Sequence, residues 1–330
     1  MKALVFTDYK TLVYRDEAEV IAKKGEELIR VKASGICGTD LHAYHGLDEK
    51  RTPPLILGHE ISGINHIDKT PVVINPLISC RNCKECLNKC EHLCDNRVFI
   101  GMSKPVNKAG GFADFIAMPS NNIIKIPKDF NVQQAALTEP SAVALHAINL
   151  ASKHSRTKIN HSNILIIGGG AIGLLVALIL KSKGANRTTI LDTNYKRLEA
   201  CQKASSSIIA HPDDKKIKSK NYEIIFDAVG YEITRNKSLE CVKQGGIVVH
   251  IGLSHKAGEF DFLKLTRQEI ILIGSFAYTN NEFKHSLNML FKGVLGNLSW
   301  LNYLPLKEGA AAFKEIHEGK ISAPKIILIP

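Results

Sequence analysis

Residues 163–192 read NILIIGGGAIGLLVALILKSKGANRTTILD: an apolar strand, a glycine turn, an apolar helix closed by Gly184, and a second strand. No other stretch restricts the fold as much. A strand that turns tightly into a helix and comes back as a neighbouring strand is the repeating unit of a parallel sheet. The alternation goes on through KRLEACQKA (helix), SSIIA and YEIIFDAVG (strands), ITRNKSLECVKQ (helix), then GIVVHIG and EIILIGS (strands). This pattern predicts an α/β region with a doubly wound parallel sheet and right-handed connections.

The turn itself, GGGAIG, sets Gly168, Gly170 and Gly173 in G-x-G-x-x-G spacing, with Ala171 and Ile172 opening the helix. The first glycine permits the turn, the second lets a pyrophosphate approach the backbone, and the third lets helix and strand pack closely. The helix N-terminus favours the phosphate charge. Because a strand precedes the motif and a helix follows it, a dinucleotide site is expected. Asp192 ends the next strand, about 20 residues on, where a carboxylate bonds the ribose hydroxyls of NAD and repels the 2′-phosphate of NADP. Lys196 and Arg197, close behind, are the groups that would instead serve that phosphate.

Before about residue 135 the texture differs. MKALVF, LIRVKAS, VVINP, FADFIAMP and NIIKIP are short strands between turn residues, as in an all-β or barrel-like domain. AALTEPSAVALHAINLASK then spaces its apolar residues at helical intervals. Beyond about residue 280 come a helix, EFKHSLNMLFKG, a mixed segment poor in both strand and helix, and a last strand, KIILI; this tail is expected to fold back onto the first domain. The longest apolar run, Ala171 to Leu180, is ten residues, half of a membrane span. The N-terminus shows no apolar leader with a cleavage site, so a cytoplasmic protein with reduced thiols is expected. The net charge is +11, but the basic residues are scattered, with lysine pairs at 23–24 and 215–216, and form no long stripe for nucleic acid.

Cysteines supply the second strong signal. SCRNCKECLNKCEHLC holds Cys80, Cys83, Cys86, Cys90 and Cys94 within residues 79–94. Two successive C-x2-C steps bring three thiolates to one ion, and either Cys90 or Cys94 supplies the fourth of a closed structural zinc site. A dispersed set, Cys37 in GICGTDLH, His59 and Glu60 in LGHE, and Glu139 in LTEPSAVALHA, offers a thiolate, an imidazole and carboxylates. Those donors suffice for a catalytic zinc with an open position.

GICGTDLH, LGHE, the cysteine lobe, GGFADF, EPSAVALHA and GGGAIG, in that order, strongly resemble the zinc-dependent medium-chain dehydrogenase/reductase (alcohol dehydrogenase) family. The likeness extends from near the N-terminus to about residue 275. It is closest to the polyol branch of sorbitol, idonate, butanediol and threonine dehydrogenases. The resemblance implies a GroES-like, partly open β-barrel catalytic domain (residues 1–138 and 279–330, with the zinc lobe at 79–95). It also implies a Rossmann domain at 139–278 and an active site in the cleft between the two. By the same likeness Cys37, His59 and Glu60 hold the catalytic zinc, and Glu139 is either a ligand or the partner of the zinc-bound water. Cys80, Cys83, Cys86 and Cys94 hold the structural zinc, leaving Cys90 free. Thr39 matches the hydroxyl that takes the substrate proton, His42 the imidazole that relays it, and Asp40 the group that orients His59. Two zinc ions per chain, NAD ahead of NADP, a small alcohol, diol or polyol as substrate and a homodimer or homotetramer follow as expectations.

Two departures from the family pattern bear on function. Only INHIDKTP separates GHEISG from VVINP, so the hairpin at 64–71 is trimmed. Phe276-Ala277 stands where polyol enzymes carry a Phe-Arg pair facing the substrate, which makes sorbitol and idonate less expected than a less polar diol or secondary alcohol. The same fold also accommodates a threonine or hydroxy-acid dehydrogenase, or one preferring NADP. A regulatory member that binds nucleotide without turnover would have lost a ligand or Thr39, and none is lost. A zinc-knuckle nucleic-acid binder would need aromatics among Arg81, Lys84 and Lys89, where Glu85, Glu91 and only the imidazole of His92 are found.

Overall fold

The computed structural model describes residues 1–214, 217 and 221–330; the lysine pair at 215–216 lies outside them. Ile164–Ile167 lies near the centre of a six-stranded sheet in which every pairing is parallel. Its strands in chain order are Ile164–Ile167, Thr188–Leu191, Ile208–Ala210, Tyr222–Asp227, Val242–His250 and Ile271–Gly274. Across the sheet they stand 3-2-1-4-5-6, the dinucleotide-binding order, with the switch between the first and fourth strands. The strand ILII is an unbroken β-branched and leucine run because helices cover both faces of this sheet; Ile164, Leu165 and Ile166 are fully buried. The helix Ala171–Ser182 is apolar nearly all round for a related reason. The sheet lies on one side of it and the helix Thr138–His154 on the other, in one core with Leu145, Ile148, Leu175 and Ile179.

The first part of the chain builds a three-stranded sheet and a seven-stranded one. Glu26–Gly35 is central to the larger, pairing antiparallel with Glu60–Asn65, Phe115–Pro119 and Lys325–Ile329. The last strand of the chain therefore lies in the sheet that carries Gly35 and Glu60, and Leu301–Pro305 runs parallel beside it. The shortened hairpin is a tight turn from Asn65 to Pro71, where Asn65 Oδ1 accepts from Ile67 N at 2.9 Å and Asp68 N at 3.3 Å.

Two readings of local structure are corrected. The helix expected over ITRNKSLECVKQ ends at Cys241, and Val242 already pairs with Tyr222, because sheet pairing takes over a segment of weak helical preference. The tail is richer than expected. Besides the helix Asn280–Phe291 it holds Leu301–Pro305 and a helix Gly309–His317, whose Ala312 and Phe313 pack into the core with Leu4, Phe6 and Leu328. No helix among the described residues is long and apolar enough to cross a membrane.

Candidate active site and metal centres

Cys37 caps the short helix Gly38–Tyr44, and its backbone N–H donates to Asp40 Oδ2 at 3.0 Å. Asp40 is fully buried and its other oxygen faces His59 Nδ1 at 3.5 Å. With Nδ1 turned to Asp40, the opposite ring nitrogen of His59 is the one available as a donor. Burial works against charge on both groups. Even so, mutual attraction holds the Asp40 carboxyl below its usual range, and Asp40 and Cys37 raise the His59 imidazole well above its own. Glu60 opens the strand next to Gly35, and the sequence needs a glycine there: a Cβ at Gly35 would lie 1.9 Å from Glu60 Oε2.

One donor atom each from Cys37, His59 and Glu60 lies within 4.8 Å of the other two, so three residues from separate segments form one buried set. Thr39 Oγ1 is buried without a hydrogen-bond partner, two residues after Cys37. A thiolate, an imidazole and a carboxylate with the unpartnered Thr39 hydroxyl beside them fit a zinc ion that keeps a position open. Glu139 starts the helix Thr138–His154 outside this set of three, yet close enough to feel it. Burial pushes its carboxyl up to about 7, with His59 pulling down and Glu60 pushing up. His42 is half-buried one turn beyond Thr39, and burial lowers its pKa, partly offset by Asp48.

Two residues of this neighbourhood escaped the sequence reading. Lys325 is buried on the last strand; its ammonium sits against the carboxylate of Glu60 and donates to Ile36 O at 2.8 Å. Its only sequence signal is one charge in the apolar run KIILI. Tyr278 is 1% exposed, its hydroxyl lacks a hydrogen bond, and burial together with neighbouring Glu139 raises its pKa well above the usual phenol value.

The lobe brings the sulfurs of Cys80, Cys83, Cys86 and Cys94 within 4.8 Å of one another. Cys90 stays out, its thiol 3.7 Å from Asn88 O. Backbone N–H groups of Asn82 and Cys83 lower the Cys80 thiol to about 6, while burial lifts Cys86 to about 12. Four convergent thiols suit a closed zinc site.

At the glycine turn, Gly168 has φ +100°, Gly170 faces open space, and a Cβ on Gly173 would come 1.8 Å from Gly168 O. Room over the second glycine, with half-buried Ala171 and Ile172 beginning the helix, is what an approaching pyrophosphate requires. Asp192 accepts from Gly169 N at 2.7 Å and Asn194 N at 2.8 Å, and Arg197 Nη1 lies 3.5 Å from it.

Two family models match the chain: the alcohol dehydrogenase GroES-like domain over residues 23–128 and the zinc-binding dehydrogenase over residues 171–292. L-idonate 5-dehydrogenase (NAD(P)(+)) of Escherichia coli (strain K12) is 28% identical over 327 residues, 92% of this chain and 91% of its own. The crystal structure of L-idonate 5-dehydrogenase from Escherichia coli str. K-12 superposes with a TM-score of 0.89 at 26% identity, covering 100% of this chain and 98% of that one. Acetophenone reductase from Geotrichum candidum NBRC 4597, in complex with NAD, gives 0.88 at 25% identity, over 100% and 97%. A glycine turn with open space over Gly170, a buried three-donor set and a four-thiol lobe thus meet two domain models and likeness over nearly the full length, and the chain belongs to the zinc-dependent medium-chain dehydrogenase/reductase family.

Proposed function

We propose that the protein is a zinc- and NAD-dependent dehydrogenase that oxidises a secondary carbinol of an alcohol, diol or polyol, working from the cleft beside Cys37. The convergence of Cys37, His59 and Glu60 into one buried donor set carries this reading. When bound, zinc supplies Lewis acidity to a substrate oxygen and the nicotinamide supplies a hydride acceptor. The rest falls to the chain. Cys37, His59 and Glu60 hold the metal; Asp40 fixes the ring of His59; and Glu139, outside the three, borders the open position. Thr39 Oγ1, buried without a partner, takes the carbinol proton as it gives up its own hydroxyl proton, and His42 accepts that proton and passes it toward solvent. Cys80, Cys83, Cys86 and Cys94 hold a second zinc that shapes the lobe.

Gly168, Gly170, Ala171, Ile172 and Gly173 receive the pyrophosphate and Asp192 the adenosine ribose, which favours NAD. The pairing of Arg197 with Asp192 supports this preference, since it engages the cation an extra phosphate would need. We divide the chain at 1–138 with 279–330, and 139–278, because the terminal strands join the sheet of Glu60. A cytoplasmic homodimer or homotetramer completes the proposal. The test is a panel of sugars, polyols, diols and hydroxy amino acids, with metal analysis and reduced-nicotinamide absorbance in NAD and in NADP. Two zincs per chain and NADH formation are expected. One zinc and no turnover on any alcohol removes the proposal, and a preference for NADP removes the role given to Asp192.

A further inference from the structure

Arg97 leaves the zinc lobe three residues after Cys94. Its Nη1 donates to Cys94 O at 2.9 Å, and its Cζ lies 5.2 Å from the ring centroid of Phe276. The side chain is half-buried, yet among the described residues no carboxylate oxygen lies within 4.0 Å of its guanidinium. A guanidinium held partly out of water, braced on a carbonyl and an aromatic face, with no anion, is set up to receive one.

Its location gives that anion a context. Two residues on, Phe99 meets the His59 ring edge to face at 6.2 Å, and it packs in one apolar cluster with Ala277 and Tyr278. Tyr278 in turn stands by Glu139. The segments 97–99 and 276–278 therefore lead out together from the three-donor set, with Phe99 and Tyr278 inside and Arg97 and Phe276 outside. Two residues of extended chain span roughly 6–7 Å, the reach of a short hydroxylated carbon chain. Ala277 holds φ at +50°, a strained region for a residue with a Cβ, and the Phe276 ring beside it is 40% exposed, forming the shelf under the guanidinium.

We propose that Arg97 is a specificity-determining residue: its guanidinium binds an oxyanion, carboxylate or phosphate, at the far end of a polyhydroxylated substrate whose reacting carbinol lies at Cys37, His59 and Glu60. This rests on the dehydrogenase reading above and deepens it. It also reverses the expectation drawn from Ala277, since the cation missing at 277 is supplied from the lobe.

The test compares the zinc-loaded enzyme with Arg97→Gln and Arg97→Lys on a neutral polyol, the aldonate of equal length and the polyol phosphate. The expected result is a wild-type kcat/KM at least about 10-fold higher for one anionic substrate than for the neutral one, and loss of about 10- to 100-fold in that ratio for Arg97→Gln, mostly in KM. Partial recovery in Arg97→Lys is also expected. The better of the two anions identifies the oxyanion. Equal use of neutral and anionic substrates overturns the proposal, as does a Gln variant that slows all three alike and leaves the ratio intact. Calorimetric binding of the same aldonate and polyol phosphate to the protein with NADH reads Arg97 without turnover. At least about 10-fold weaker binding in Arg97→Gln is expected; no anion binding by the wild type sinks the assignment of Arg97. Binding without oxidation of any of the three, together with no turnover across the wider alcohol panel, would instead retain Arg97 and remove the dehydrogenase reading.

Discussion

A lysine buried as deeply as Lys325 keeps its charge because Glu60 lies against it. Removing one partner of a buried pair leaves an uncompensated charge, which costs about 3–5 kcal/mol, unless something else neutralises the survivor. Zinc on Glu60 would do so. Lys325→Met is therefore expected to lose about that much stability when metal is stripped, and markedly less when zinc is restored. Denaturant melts of the two forms decide the matter; equal losses with and without metal would separate Lys325 from the metal site. Sequence made half of this group readable. His59-Glu60 stands as an adjacent pair and Cys37 lies in a distinctive segment, but nothing local brings Lys325 to Glu60. Their contact exists only because the final strand crosses back to Glu26–Gly35. Tyr278 was hidden for the same reason, as its neighbour Glu139 lies in the first turn of a helix in a distant segment.

Among the elements, the helix Asn280–Phe291 shows how a cap can do more than end a helix. Thr279 Oγ1 accepts from Glu282 N at 3.1 Å and Glu282 Oε2 accepts from Thr279 N at 2.9 Å, a reciprocal capping box. The same carboxylate accepts from His146 Nδ1 at 2.9 Å and Asn149 Nδ2 at 2.8 Å, joining this helix to Thr138–His154. Burial pushes Glu282 up, but the bonds from His146, Thr279 and Asn149 outweigh it and bring the carboxyl to about 2, from 4.5. A depressed carboxyl stabilises the fold above its unfolded value, and that contribution fades as pH falls from about 4.5 to about 2. Glu282→Gln should then cost about 1 kcal/mol near neutral pH, allowing for partial exposure, and the gap from wild type should close over that acid window. A gap that stays constant with pH would show that the charge contributes nothing. The helix was legible from its apolar spacing, and T-N-N-E is a cap signature in the sequence itself. Gly38–Tyr44 was harder: it spans barely two turns and begins with glycine, so only its Cys37 cap and tertiary packing make it a helix.

At the scale of the whole molecule, the cysteine lobe ties the seven-stranded sheet to the helices Thr138–His154 and Asn280–Phe291. Arg81 Nη2 donates to Asn121 O at 3.0 Å on the side of the seven-stranded sheet. On the other side Glu91 Oε2 accepts from Asn280 N at 3.3 Å, and the His92 ring lies 4.7 Å from that of His146. A lobe with so little apolar content holds these positions only if its four thiols are gathered, which is the service a structural zinc performs. The spacing alone left Cys90 and Cys94 as rivals for the fourth place, and the fold settles which thiol is near: Cys94 is buried in the cluster and Cys90 is not. Cys90→Ser should accordingly keep two zincs per chain, and Cys94→Ser should keep one. The loosening in Cys94→Ser should also travel. Hydrogen exchange is expected to quicken at 79–97 and at the helix starts near 138–146 and 279–283, because the lobe's contacts with His146 and Asn280 go with it. If exchange quickens only within 79–97, the lobe is an appendage; if it spreads to both helices, the lobe helps to hold the walls of the cleft together.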